Sequence, residues 1–465
     1  MMKTKASVSP ELIRLDIEKL DSQGDGISRD ATGKIIFVPG VLPGETVLAR
    51  KTTEKKDFAT ARLVEIEKTH PERVKPFCPW YERCGGCQIQ HASYPLQLKL
   101  KEQLLEDAFS RIGRMLPLEG FSRVAASPSE SGYRNKISLP VSCSGNPGTL
   151  EIGYFQKRSH RVVAIDRCPV AMPVLNEILK EVRAGMAQAG LLPYDERTRQ
   201  GLLRHVVLRG GQETGEILIV LVVHHSPDPA ITKNIICLAR RIRKRYPQLV
   251  GLALNYNPAE GNVIFGPVTK ALSGRPFFYE RLADLTFKFD ATSFAQVNTR
   301  QAVRLYQAVA NEACPSIGEN VLELYAGVGT LTCFLAARSS RVVALEEWGP
   351  SVDCLKENVS RNSFSNVRAL GGSAEKLDFS AVGPIDSVVL DPPRSGCHPD
   401  VLNSIAQMSP RRVIYVSCNP STLARDVGLI CREEHFRLRK VLPFDLFPQT
   451  CHVESIAILD RDSSS

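Results

Sequence analysis

Two short stretches hold residues able to do covalent chemistry. Asp391-Pro392-Pro393-Arg394-Ser395-Gly396 carries a carboxylate, and Ser417-Cys418-Asn419-Pro420 carries a thiol. Each follows an apolar, β-branched run, Ser387-Val388-Val389-Leu390 and Arg412-Val413-Ile414-Tyr415-Val416. Runs of that kind read as buried strands of a parallel sheet. The weakly amphipathic stretch 400–408 between them reads as the crossover helix. Carboxylate and thiol therefore stand at the carboxyl ends of strands, where open α/β sheets bind ligands. Cysteine is intrinsically nucleophilic, the more so when its pKa is depressed. Pro420 and Ser421 predict a helix start just after Cys418, whose positive end favours a thiolate. A pyrimidine ring is a fitting electrophile. Adding a thiolate to carbon 6 makes carbon 5 enolate-like and able to attack a methyl donor. The plainer reading of a lone Cys is a small buried strand-end residue. Asn419-Pro420 behind it and Asp391 on the next strand favour the chemical one.

Further back, 321–324 reads as a strand leading into Tyr325-Ala326-Gly327-Val328-Gly329, where glycines let the backbone pass close to a ligand. The next strand, 341–345, ends in Glu346. A carboxylate about twenty residues past such glycines can take both hydroxyls of a ribose. Tyr325 flanks the same pocket. Gly-x-Gly alone is a weak signal; its strand–loop–helix setting strengthens it. Residues 367–370, 436–443 and 453–459 read as three further strands, seven in all.

The pairing of Asp-Pro-Pro-Arg with Ser-Cys-Asn-Pro resembles the RNA (uracil-C5) methyltransferase family, the 5-methyluridine synthases that use S-adenosylmethionine. The likeness implies that Cys418 is the nucleophile and that Asp391 lies at the cofactor. It extends to Phe294-Ala295-Gln296-Val297-Asn298, where the family's Gln contacts the cofactor, and to His452-Val453-Glu454, where the family places the base that takes the carbon 5 proton. Read without the resemblance, Gln296 is equally a residue at a helix start and Glu454 an ordinary edge carboxylate. The implied fold of this half is an α/β Rossmann-like methyltransferase domain.

The chain has 465 residues and a net charge of +9. The charge is uneven: +1 over residues 1–70, +10 over 71–290 and −2 over 291–465. The middle excess suits a polyanion. Short strands with closely spaced turns over 12–20, 34–38, 45–50 and 59–67 read as a small β-barrel of the oligonucleotide-binding type. That segment resembles the TRAM domain of RNA-modifying enzymes, with Lys51, Lys55 and Lys56 as expected phosphate contacts. Residues 1–10 hold no apolar signal core, and no apolar run approaches membrane-spanning length. Thirteen cysteines without framework spacing argue for reduced thiols, and the cytoplasm is the expected location.

Cys78, Cys84 and Cys87 fall within ten residues, with Gly85-Gly86 between the last two. Three cysteines so close, with glycines that let the chain fold tightly, are a metal-site signal. The fourth soft ligand is expected at Cys168, which Pro169 follows as Pro79 follows Cys78; Cys143 is the rival. Iron–sulfur clusters and zinc both accept four thiolates. The family's cysteine-bearing members share the Cys-x5-Cys-x2-Cys spacing and hold a four-iron cluster, which the resemblance carries to Cys78, Cys84, Cys87 and Cys168. Tyr133-Arg134-Asn135-Lys136 is similar to a stretch of the family's RNA-facing domain. Arg134 and Lys136 share one strand face, which suits phosphates. A helix over 97–112, a turn at 145–148, a hairpin over 204–223 and a basic helix end at 240–245 make this part α+β.

The expected division is a TRAM-like barrel over 1–70, a central RNA-binding domain with a [4Fe-4S] cluster over 71–290, and a methyltransferase domain over 291–465. The expected activity is 5-methyluridine synthesis in RNA. Ribosomal RNA of the large subunit is favoured over transfer RNA, because family members with both barrel and cysteines lean that way. Rival readings are an RNA cytosine-C5 methyltransferase, an exocyclic-amine methyltransferase and a non-catalytic RNA-binding protein. No membrane and no obligate protein partner are implied.

Overall fold

The computed structural model describes residues 12–115, 120–143, 150–316, 318–432 and 436–462. The N-terminal part is a small β-barrel of six strands, Leu12–Asp16, Lys19–Leu20, Asp25–Arg29, Ile35–Pro39, Thr46–Glu54 and Phe58–Lys68. Alternation along the strands turns Leu15, Ile36, Val38, Val47, Ala49 and Ala61 into one core. Two details depart from expectation. The strand over 12–20 is two strands, and residues 24–26, read as a turn, run into a strand. Gly24 alone takes the left-handed turn (φ 75°), and Asp25 already pairs with Pro39. Lys51 is paired with Asp30 at 3.3 Å, and Lys55 lies over the Phe58 ring.

The middle sheet has seven strands in the order Val268–Gly274, Leu249–Tyr256, Ile217–Val223, Leu203–Gly210, Lys136–Cys143, Leu150–Phe155 and Val162–Ala164. The hairpin of Leu203–Gly210 with Ile217–Val223 is present. Ile217–Val223 is apolar throughout because both its faces are buried. Ile217, Ile219 and Leu221 face a core shared with helices Pro173–Met186 and Pro229–Arg245. Leu218, Val220 and Val222 face the C-terminal half, against Phe278, Phe289 and Leu305. The basic end of Pro229–Arg245 therefore belongs to the helix layer, on the far side of the sheet from that half. The turn expected at 145–148 lies outside the described residues.

The C-terminal sheet runs Val367–Gly371, Arg341–Glu346, Asn320–Leu324, Ser387–Leu390, Arg412–Ser417, Glu454–Arg461, Phe436–Phe444. Its first five strands are parallel, and Glu454–Arg461 runs antiparallel to both neighbours. Strand order reverses between Asn320–Leu324 and Ser387–Leu390, which opens a crevice at their carboxyl ends. Helices Thr299–Ala313, Thr330–Ala336 and Gly349–Arg361 cover one face. Pro399–Met408 and Pro420–Arg432 cover the other. They are joined there by Leu105 and Ala108 of helix Tyr94–Ala108, which Ser93 caps through Leu96 N–H. Sequence spacing places this helix in the middle segment, yet it packs on the C-terminal sheet. The expected helix over 97–112 thus starts earlier, and its last turn, Phe109–Gly113, widens to a π turn.

Candidate active site

The crevice opens into a cavity of about 1250 Å³. Gln296, Tyr325, Glu346, Asp391, Cys418 and Glu454, expected from sequence as cofactor and catalytic residues, all line it. Each gets there by local chemistry. Tyr325 ends its strand at φ 65°, a left-handed backbone uncommon for a bulky residue and typical of functional turns. Gly327 and Gly329 continue the turn at φ 57° and 82°. The Glu346 carboxylate accepts Gly327 N–H and Trp348 N–H, each at 2.8 Å, and so fixes the loop. Each oxygen keeps a further lone pair for a ligand hydroxyl.

The two motif loops are joined to each other. Asn419 Nδ2 donates to Arg394 O at 3.0 Å, and Arg425 donates to Ser395 O at 2.9 Å. Asp426, fully buried, accepts Cys397 N–H and the Tyr415 hydroxyl at 2.9 and 2.6 Å. Helix Pro420–Arg432 thereby holds the Asp391 loop and begins at the Cys418 turn, as its proline predicts.

Electrostatics differ from the sequence expectation at the thiol. Burial, then the neighbouring Glu454, raises the Cys418 pKa, while the Arg394 guanidinium opposes them. Burial pushes the Asp391 carboxyl up to about 7. Glu454, 2% exposed, is pushed well above the usual range by burial and by Asp391, with Arg394 again opposing. Asp391 thus stands within electrostatic reach of both catalytic candidates.

Arg134 and Lys136 also line the cavity, with Asn135 between them donating to Gln296 O at 3.0 Å. Burial, then Arg209 and Arg134, lowers the Lys136 pKa to about 7. These cations are in the cleft rather than on an outer surface. Lys157 and Arg158 both pair with the buried Asp25 of the barrel, Lys157 at 2.6 Å. Asn298 caps helix Thr299–Ala313, accepting Gln301 N–H. Glu323 was missed by sequence reasoning. It is buried beside the cavity with its pKa raised to about 8, and its one sequence signal is an acid inside the apolar run Val321-Leu322-Glu323-Leu324.

Cys78, Cys84, Cys87 and Cys168 line a second cavity of about 100 Å³; Cys143 is exposed and does not. Burial raises the Cys78, Cys84 and Cys87 thiols, Cys84 to about 11. Among the described residues, no three His, Cys, Asp or Glu side chains close to the separations that hold a metal ion. The four thiols therefore share a space without converging on one point. Arg134 and Tyr154 line both cavities and form the wall between them.

Residues 93–462 match the family model described as tRNA (Uracil-5-)-methyltransferase, and residues 11–64 match that of the TRAM domain. Similar curated proteins include an uncharacterized RNA methyltransferase of Thermosynechococcus vestitus, 37% identical over 96% of this chain and 97% of its own. One from Gloeobacter violaceus is 39% identical over 98% of each. Among solved structures, the tRNA (uracil-54, C5)-methyltransferase of Pyrococcus abyssi, in complex with S-adenosyl-L-homocysteine, superimposes with a TM-score of 0.77. It is 27% identical, with 96% of this chain and 100% of that one covered. No helix among the described residues is long and apolar enough to cross a membrane. A methyltransferase sheet, a TRAM barrel and a family match spanning most of the sequence agree, and the chain belongs to the RNA (uracil-5-)-methyltransferase family.

Proposed function

We propose that the protein methylates uridine at carbon 5 in RNA, with S-adenosylmethionine as methyl donor and a covalent bond from Cys418 to carbon 6. The observation that carries this reading is the meeting of Cys418 and Glu454 in the cavity that Gln296, Tyr325, Glu346 and Asp391 also line. S-adenosylmethionine, when bound, supplies an electrophilic methyl group. Glu346 suits its ribose hydroxyls, and Gln296, Tyr325 and Asp391 complete its pocket.

The Cys418 thiolate adds to carbon 6, and the ring electrons move to carbon 5 and the carbonyl at carbon 4. Carbon 5 would take the methyl group as its bond to the donor's sulfonium sulfur breaks, leaving S-adenosylhomocysteine, and would for a moment hold both methyl and proton. Glu454, as carboxylate, removes that proton; the carbon 6–sulfur bond breaks and the thiolate is restored. Arg394 favours the ionised form of both groups. The base must leave its stack to reach Cys418 and the buried Glu454 within the cavity. Arg134 and Lys136 at the cleft suit the phosphates beside it.

Large-subunit ribosomal RNA is the proposed substrate, on the joint presence of the barrel and the four cysteines. Transfer RNA is the second reading, favoured by the overlap with the Pyrococcus abyssi enzyme. Comparing 5-methyluridine in both RNA classes from cells with and without the gene decides between them. Cys78, Cys84, Cys87 and Cys168 are the proposed ligands of a [4Fe-4S] cluster. Four soft, partly buried donors facing one cavity suit it, and a cluster spreads its ligands more widely than a single zinc ion does.

Glu454→Gln tests the mechanism. General bases typically contribute about 100- to 10,000-fold, so the methylated ring should stay bonded to Cys418. The expected result is a protein–RNA band that survives denaturing electrophoresis, requires S-adenosylmethionine and disappears when Cys418→Ala is added. Turnover at the wild-type rate without adduct would remove Glu454 from the role of base.

A further inference from the structure

The loop that delivers Glu454 is built unlike an ordinary connection. Residues 445–453 join Phe436–Phe444 to Glu454–Arg461, and only Phe447 and His452 among them are not fully buried. Connecting segments normally run over the surface, where water satisfies their backbone. Here other parts of the chain do so. Lys101 and Asp445, both with fully buried side chains, pair at 2.5 Å, and Lys101 Nζ also donates to Phe447 O at 3.1 Å. One turn earlier on the same helix, Gln97 donates to Gln449 Oε1 and accepts Gln449 N–H, both at 2.9 Å. Gln88 and Ile89 N–H donate to Gln449 O, and the Tyr133 hydroxyl donates to Pro448 O. Gln449 itself is held at φ 74°.

We infer that Gln97 and Lys101 are positioning residues for the base: helix Tyr94–Ala108 holds loop 445–453 so that Glu454 reaches carbon 5 of the methylated ring. The inference rests on the reading of Glu454 as the base. Neither Gln97 nor Lys101 lines the cavity of the site; Gln97 binds the loop and Ala92 O, and Lys101 binds the loop. Cys418 comes from a different strand, Arg412–Ser417, so loosening the loop should spare addition and methyl transfer and slow release.

Full-length Lys101→Met and Gln97→Met should be compared with wild type and Glu454→Gln. The probes are tritiated S-adenosylmethionine and total RNA from cells lacking the gene. Label is followed in released RNA and in the denaturation-resistant protein band, and S-adenosylhomocysteine affinity is measured by calorimetry. Both Met variants should transfer methyl at near wild-type rate, bind S-adenosylhomocysteine normally, and release product roughly 100-fold more slowly, the scale of a misplaced catalytic group. Gln97→Met removes no charge, so it carries the test if Lys101→Met does not fold. Release at the wild-type rate in a folded variant overturns the inference. So does parallel loss of methyl transfer and S-adenosylhomocysteine binding, the mark of a merely structural role. If Glu454→Gln releases product normally, the base reading falls and the inference with it. An adduct in Glu454→Gln but in neither Met variant rejects the positioning role alone.

Discussion

Asp391, Glu454 and Cys418 hold protons in one small volume, and burial raises the pKa of each. The charged forms are disfavoured because little water reaches them and because two carboxylates repel. Ionisation of Asp391 and Glu454 is a property of the pair rather than of either residue. This has a cost in stability with a definite sign. An unfolded Asp ionises near pH 3.9, whereas Asp391 holds its proton to about pH 7. A group whose folded pKa is raised in this way loses stability as pH climbs between those values. Asp391→Asn should therefore match wild type in stability at pH 4. At pH 8 it should be the more stable by on the order of 4 kcal/mol. Urea unfolding at the two pH values measures the difference. A gap of the same size at both would show that Asp391 is ionised throughout. Burying these three acids therefore opposes folding, as desolvated functional groups commonly do.

At the scale of elements, the site depends on two loops held by one helix. Gly396 marks where they touch. At φ 81°, a Cβ there would lie 2.4 Å from Asp426 Oδ2 and 2.5 Å from the Arg425 guanidinium. Gly327 has a similar backbone, φ 57°, but a Cβ there would meet nothing within 4 Å. Gly396→Ala carries backbone strain and a clash with a buried carboxylate, and should cost about 3 kcal/mol. Gly327→Ala carries the strain alone and should cost about 1 kcal/mol. Equal losses in denaturant titration would mean that the Asp426 clamp does not hold the Asp391 loop. These strands and turns were legible in the sequence because their signals are local: β-branched runs, prolines after the cysteine, glycines after the first strand. What could not be read was long-range. Asp25 looks like a turn residue until Lys157 and Arg158 arrive from another sheet to bury it. Gln97 and Lys101 look like ordinary polar positions of a weakly amphipathic helix. Only the fold brings them to residues 445–449. The raised Cys418 pKa was hidden for the same reason, since the helix start is local but the Glu454 carboxyl is not. Glu454 itself was legible only by resemblance.

Across the whole molecule, the cysteine cavity lies where distant segments are joined. Gly85 N–H donates to Phe155 O, and Cys84 bridges Gln156, so the cysteine loop is joined to the middle sheet. Arg134 N–H donates to Val170 O, two residues past Cys168. Gln88 and Ile89, directly after Cys87, reach Gln449. Some of the cations of the middle segment are committed to similar joins: Arg204 and Arg209 are buried against backbone carbonyls, and Lys157 and Arg158 bind the barrel. A group ligated by all four thiols would draw the 78–87 loop onto Cys168 and stabilise these contacts together, because metal binding is coupled to folding. Ligation also requires thiolates, and at Cys78, Cys84 and Cys87 burial alone opposes ionisation. An unliganded Cys84→Ser protein should therefore lose more than one ligand's worth of order. Purified without oxygen, the wild-type protein should be brown with broad absorbance near about 400 nm, as thiolate-bound iron clusters are. Cys84→Ser should be bleached, and limited proteolysis should cut it first within the 78–87 loop. A colourless wild type carrying stoichiometric zinc would replace the iron assignment. A wild type carrying no metal, with Cys84→Ser equally resistant to protease, would leave the four thiols as packing residues.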